Sequence, residues 1–283
     1  MIAGSPPTLR AALLPGLARR LMTTAVGMSA LAYLITTEYG LAAAAGVALF
    51  AAGYEYRSIT VPSGRPRGRL AGGLGAVGAG GVAMLLAPWP LAAAGLAVGA
   101  AAWMVLWIVP TRRSGTGVGA GPAVALRGAL YFGALPAFLL LLQRSGGEHA
   151  SYWVWLALAV SWGGDVGGYL AGRLWGRRPL APRVSPRKTV EGALGALLLG
   201  TGLGLAVWST DRAALPLATL AWLAPTTQSL SQAGDLLESR LKRLCAVKDS
   251  GGVLPGLGGM LDCVDGLCLA APWLYFASGL AWR

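Results

Sequence analysis

The chain has 283 residues, 55% hydrophobic and only 12% charged, about half the charged share of an ordinary soluble domain. That balance excludes water as the main solvent and predicts one polytopic membrane domain with no separate soluble unit. A net charge of +12 would suit nucleic acid if it were gathered on one face, but the cations are spread over loops flanking apolar stretches, so nucleic acid is excluded and anionic lipid headgroups are favoured.

Nine stretches are long and apolar enough to cross a hydrocarbon core of about 30 Å as helices: residues 21–37, 39–56, 70–87, 91–110, 124–143, 152–172, 190–208, 215–233 and 264–282. The eighth is interrupted by Pro216 and Pro225, and its second half turns polar. The expected fold class is all-α, a polytopic transmembrane helical bundle of about nine spans. With a cytoplasmic N-terminus, 20 of the 23 Lys and Arg fall on the inside, leaving Arg144, Arg212 and Arg283 outside. This alternation is what the positive-inside rule requires, and a missed span would scramble it. The first stretch lacks the short core and cleavage site of a secretory signal and is expected to stay in the mature protein, with a short interfacial helix before Arg19.

Residues 1–143 are rich in Ala, Gly and Leu and poor in reactive side chains; this N-terminal transmembrane bundle is expected to use its small residues for close helix packing, including the glycine run at 72–81. His149, the single histidine, lies beside Glu148 in an outside loop and is expected as a solvated residue. Residues 144–283 form the expected catalytic region. Of eleven acidic residues, Asp165, Glu191, Asp235, Glu238, Asp249, Asp262 and Asp265 fall in two blocks here, and so do all three lysines, Lys188, Lys242 and Lys248. Carboxylates near a membrane are costly, so they pair with cations or hold a metal.

The first block, residues 163–193, places Asp165 inside the sixth stretch, facing the bundle interior, followed by six cations. Ser185, Pro186, Arg187, Lys188 and Thr189 lead into a helix with Glu191 at its start, and a helix N-terminus with hydroxyls and a lysine suits a phosphate. In the second block, residues 232–266, a helix over 231–244 puts Asp235, Glu238, Ser239 and Lys242 on one face. A glycine-rich turn over 251–259 offers bare amides to phosphate oxygens. Asp262 and Asp265 then stand one helical turn apart, and oxygen ligands of this kind suit Mg²⁺. Cys245, Cys263 and Cys268 lie in or beside a reducing cytoplasmic loop, with no zinc spacing and no expected disulfide.

The second block resembles the signature of the phosphatidate cytidylyltransferase (CDP-diacylglycerol synthase) family. The matching positions are Ser239, Lys242, Arg243, Lys248, Asp249, Pro255, Gly256, Gly258, Gly259, Asp262 and Asp265, preceded by Gly234, Asp235, Leu236 and Glu238. The first block is similar to the family's Ser-Pro-Lys-Lys-Thr-x-Glu-Gly segment, and Tyr131 to Pro136 to its Tyr-x-Gly-x-Leu-Pro stretch. Leu257 stands where the family has His, Cys263 where it has Arg, and Gly252 where a small hydroxyl residue is usual.

The resemblance implies transfer of a cytidylyl group from CTP to phosphatidate, at the cytoplasmic face of the inner cell membrane, with Mg²⁺ in one- or two-metal form and a homodimer. On that footing Asp235, Asp262 and Asp265 are the expected metal ligands. Lys242, Lys248, Asp249 and Ser239 are the expected catalytic residues, and Ser185, Lys188, Arg243, Asp165, Gly258 and Gly259 are expected to bind substrate. Two other readings compete. A CDP-alcohol phosphotransferase is suggested by Asp262-x-x-Asp265-Gly266 and would consume CDP-diacylglycerol rather than CTP; a non-catalytic homologue, transporter or scaffold, is suggested by Leu257 and Cys263 and would incorporate no CTP.

Overall fold

The computed structural model describes residues 22, 26–37, 39–61, 66–108, 122–254 and 258–282. The expected interfacial helix before Arg19, the inside residues Arg10, Arg19, Arg20, Arg65, Arg112 and Arg113, and Pro255, Gly256 and Leu257 lie outside them. The described chain is helical apart from one small hairpin: α1 (Val26–Ile35), α2 (Gly40–Thr60), α3 (Pro66–Leu85), α4 (Pro90–Ile108), α5 (Pro122–Ala129), a π turn (Leu130–Ala134), α6 (Phe138–Ser145), α7 (Ala150–Trp175), β1 (Pro179–Ala181), β2 (Ser185–Thr189), α8 (Val190–Thr210), α9 (Leu217–Leu244), α10 (Leu261–Val264) and α11 (Leu267–Ala277). Each of the nine apolar stretches carries helix. Three helices among the described residues are long and apolar enough to cross a membrane: Pro66–Leu85, Pro122–Ser145 and Val190–Thr210. Large apolar side chains such as Leu74, Leu91, Leu106, Leu174 and Leu198 point outward, as lipid-facing residues do when the surrounding solvent is hydrocarbon.

Small residues set the helix spacing. A Cβ on Gly53 of α2 would run into the carbonyl of Gly72 and the side chain of Ala76 on α3, and a Cβ on Gly72 would meet Gly53 and Arg57 in return. The same close approach joins α7 to α8, where Gly167 faces the backbone of Gly195. Such contacts substitute for the hydrophobic effect, which is weak between helices in lipid. Gly53→Leu is therefore expected to lower stability by about 1–3 kcal/mol through overpacking, read as an earlier thermal unfolding of the purified protein in detergent. Between the helices an aromatic core closes over Phe138, Tyr275 and Phe276, with ring centroids 5.5 Å (Phe138–Phe276) and 5.6 Å (Phe138–Tyr275) apart, and over Tyr56 and Phe132 at 5.5 Å.

Three features depart from the sequence expectation. The eighth stretch does not end at residue 233: α9 runs unbroken through Leu217–Leu244 with Pro225 inside it. Hydroxyls occupy the turn around that proline, Thr226 Oγ1 donating to the Trp222 carbonyl at 2.8 Å and Ser229 Oγ to the Pro225 carbonyl at 2.8 Å. The basic loop after α7 is an antiparallel hairpin pairing Pro179 with Thr189 and Ala181 with Ser185. It is tied to α8 by Glu191, whose carboxylate accepts the N–H groups of Arg177 and Arg178 at 3.0 and 3.2 Å. His149 is not simply solvated: its Nδ1 lies 2.5 Å from Asp211 Oδ2, joining the α6–α7 and α8–α9 connections. The three cysteines are all free.

Candidate active site

The hairpin, α7, α8, α9 and the segment after α9 converge on one cavity of about 760 Å³. From α7 comes Asp165, on a turn made of Gly163, Gly164, Gly167 and Gly168, where Gln228 fills the space a side chain at 164 would need. From β2 comes Lys188, one residue before Thr189, whose hydroxyl caps α8 by accepting the Gly192 N–H at 3.0 Å. From α9 come Gln232, Asp235 and Lys242, and from the segment after it Asp249, Asp262 and Asp265. The deep residues are acidic, with Asp265 7% exposed and Glu238 1% exposed behind the wall, whereas Arg173 and Arg187 on the rim are exposed.

The face read from the sequence exists on α9. Ser239 Oγ donates to Asp235 Oδ1 at 3.4 Å, and Lys242 Nζ lies 2.6 Å from Glu238 Oε2 one turn before it. Lys188 reaches across from the hairpin to form an ion pair with Asp235. Lys242 also bonds Asp262 Oδ1 at 2.7 Å, so one ammonium bridges two carboxylates from different segments. The other oxygen of Asp262 accepts the N–H of Gly259 at 2.8 Å and that of Ser250 at 3.4 Å. Burial pushes the Asp262 carboxyl up, but Lys242 and the Gly259 N–H more than offset it and hold the group below the ordinary carboxylate range. Burial likewise pulls Lys242 down, and Glu238 and Asp262 together raise it above the usual lysine range. The ammonium is fully charged at neutral pH.

Asp235, Glu238 and Asp265 each offer a carboxylate oxygen within 4.8 Å of the others, a group of hard oxygen donors that fits a divalent cation. Glu238, on the face read from the sequence but not assigned as a ligand there, completes this trio. Asp262 instead stands with Lys242 and the turn amides. Asp165, Lys188, Asp235, Lys242, Asp249, Asp262 and Asp265 all line the cavity. Ser239 and Gly259 touch it through Asp235 and Asp262. Gly258 has φ +106°, and Asp262 Oδ2 fills the place of its Cβ at 2.8 Å. Arg243 holds the hairpin by donating from Nε to the Val184 carbonyl at 3.2 Å. Ser185 begins β2 and Lys248 is exposed after α9, and neither is on the cavity wall.

The α9 helix ends in a way that throws the next segment back over the cavity. Ala246 has φ 58°, the Ala246 N–H bonds the Arg243 carbonyl at 3.1 Å and the Val247 N–H bonds the Lys242 carbonyl at 2.9 Å, the paired bonds of a Schellman motif. Leu254 and Gly258 then close a bridge with bonds of 3.0 and 3.1 Å. Sequence reasoning missed one residue that this segment rests on, Glu55 of α2, which accepts the Leu261 N–H at 2.9 Å. The available signal was the same one that singled out Asp165: a carboxylate inside an apolar stretch.

A helical membrane protein whose buried acids and basic hairpin share one open cavity is the class defined by this fold and site. The chain belongs to the cytidylyltransferase family, whose family model matches residues 17–280. It is 36% identical over 137 residues to a phosphatidate cytidylyltransferase of Bacillus subtilis, covering 48% of this chain and 51% of the relative. It is 41% identical over 150 residues to the protein of that name in Brucella suis, covering 52% and 54%. The corresponding figures for Pseudomonas aeruginosa are 37% over 139 residues, 49% and 51%. The chain spans about half the length of these relatives.

Proposed function

We propose that the chain is a phosphatidate cytidylyltransferase, joining CTP and phosphatidate to give CDP-diacylglycerol and pyrophosphate. A phosphate oxygen of the lipid forms a bond to the α-phosphorus of CTP as the bond from that phosphorus to the bridging oxygen breaks, and the electron pair leaves on pyrophosphate. Two anions must meet and a third must depart, so the reaction depends on positioning and on cations. The observation that carries this reading is that Lys188, Lys242, Arg173 and Arg187 share one cavity with the acids.

Asp235, Glu238 and Asp265 would hold Mg²⁺, with Asp262 beside them. When bound, the metal neutralises phosphate charge and polarises a phosphoryl oxygen. Lys242, kept charged by Glu238 and Asp262, binds a phosphate from the α9 side. Lys188 binds one from the hairpin side once its bond to Asp235 opens, and Arg173 and Arg187 collect the anions at the rim. Ser239 orients Asp235, and Asp262 orients Lys242. Asp249 lies at the open side of the cavity, and Lys248, Arg243, Ser185, Gly258 and Gly259 support the phosphate-binding surface around it.

The same proposal includes nine spans, a cytoplasmic N-terminus and a cavity open to the cytoplasm at the inner membrane, supported by the alternation of Lys and Arg along the chain. It includes a homodimer by the family resemblance. Purified protein in phosphatidate-containing vesicles is expected to move label from α-³²P-CTP into lipid, releasing pyrophosphate in equal amount, and to stop when EDTA removes the divalent cation. Label that never enters lipid, at any Mg²⁺ concentration, would overturn the proposal.

A further inference from the structure

The geometry points to Glu55 as a positioning residue: from α2, in the N-terminal half, it clamps Ser250 to Leu261, and with them the described residues 250–254 and 258–261, and thereby fixes the Lys242–Asp262 pair. The kinetic part of this assignment rests on the cytidylyltransferase reading; the clamp itself does not.

Glu55 is 3% exposed. Its Oε2 accepts the Leu261 N–H at 2.9 Å and the Ser250 hydroxyl at 3.3 Å, two residues at opposite ends of the turn. A single oxygen therefore ties those ends together. The same turn supplies the N–H groups of Ser250 and Gly259 that hold Asp262 Oδ2. Asp262 Oδ1 in turn holds Lys242 at 2.7 Å. A continuous run of hydrogen bonds thus leads from α2 to the ammonium in the cavity.

The turn is also shaped around the carboxylate. A Cβ at Gly251 would collide with Glu55 Oε1, and one at Gly259 with Glu55 Oε2 and the Ser250 hydroxyl. Neither glycine has a positive φ, unlike Gly258, so at 251 and 259 the requirement is room for the acid rather than an unusual backbone. Among the described residues Glu55 makes no ion pair, and its Oε1 has no hydrogen-bond partner. Burying a carboxyl group in an apolar helix bundle is costly unless it is bonded, and its bonds here all go to the segment that positions Asp262. Glu55 acts as an acceptor, and a glutamine, whose side-chain carbonyl accepts in the same place, can take over that role.

Two variants of the full chain in vesicles test this. In Glu55→Ala, amide exchange over residues 250–261 is expected to quicken about tenfold or more while α8 is unchanged. Its kcat per folded protein is expected to fall about tenfold or more, with KM for CTP within about threefold. In Glu55→Gln, exchange and kcat are both expected to stay within about threefold of the parent protein. Parental exchange over 250–261 in Glu55→Ala would overturn the clamp. So would a Glu55→Gln protein that keeps slow exchange yet loses as much turnover as the alanine variant, because the charge and not the acceptor would then matter. If Glu55→Ala does not fold, Glu55→Gln decides: slow exchange with near-parental kcat supports the clamp, and fast exchange over 250–261 beside an unchanged α8 refutes it. Should the parent protein incorporate no CTP, the enzymatic reading fails while the exchange measurement still judges the clamp.

Discussion

Asp235→Asn is expected to lower CTP-dependent lipid labelling by about a thousandfold, equivalent to about 4 kcal/mol of lost transition-state stabilisation, while leaving the fold intact. Asp235 has four neighbours with different demands. Lys188 and the Ser239 hydroxyl bond different oxygens of Asp235; Asn keeps its carbonyl for Lys188, and the Ser239 hydroxyl can turn to accept from the amide NH₂. Lys188 and Asp235 are each about a quarter exposed, 28% and 27%, so losing the charge attraction between them costs little stability. Glu238 and Asp265 make a different demand: with Asp235 they form the oxygen trio suited to a divalent cation, and Mg²⁺ binds neutral amide oxygens far less readily than carboxylates. The expected signature is an unchanged unfolding temperature, a weakened Mn²⁺ binding measured by electron paramagnetic resonance, and turnover that excess Mg²⁺ restores only in part. Near-parental labelling would remove Asp235 from the metal site.

The parts of this architecture that follow local rules were legible in the sequence. Asp235, Glu238, Ser239 and Lys242 fall on one face because helical periodicity alone puts them there, and Asp262 and Asp265 stand near them because a glycine-rich turn lets the chain return. What was not legible depended on partners distant in sequence. Glu55 has no motif around it, and its role appears only when α2 meets Ser250 and Leu261. Asp262 and Asp265 look alike as a pair one turn apart, yet the first is held by Lys242 and turn amides while the second belongs with Asp235 and Glu238. Pro225 interrupts the eighth apolar stretch because proline removes a backbone donor; in α9 the helix continues through it and on to Leu244, as membrane helices tolerate when side-chain hydroxyls stand nearby. The hairpin after α7 is too short and too basic to show strand periodicity, and it exists because Glu191 and Arg243 fasten it to α8 and α9.

Lys242→Met is expected to lower stability by about 3–5 kcal/mol as well as to abolish turnover, and a second substitution separates the two effects. The Lys242 side chain is 15% exposed, Glu238 0% and Asp262 17%, so the ammonium is the desolvated counter-charge of two carboxylates. In the metal-free protein methionine fills similar space without the charge and leaves Glu238 buried with nothing to neutralise it, which is the costly way to break an internal ion pair. An unpaired buried carboxyl binds its proton more tightly in the folded than in the unfolded chain. The stability deficit of Lys242→Met should therefore shrink as pH falls from about 8 to about 5 and widen as it rises again. Adding Glu238→Gln removes the stranded charge, and Asp262 keeps its Gly259 and Ser250 N–H donors, so the double variant is expected to recover most of the lost stability and to lose the pH dependence. Its turnover should remain absent, because the cation that meets a phosphate has not been replaced and one carboxylate of the Asp235, Glu238 and Asp265 trio is gone. Thermal unfolding of both variants across pH, beside CTP incorporation, reads all of this; a double variant that regained both stability and activity would remove Lys242 from phosphate binding and Glu238 from the metal site.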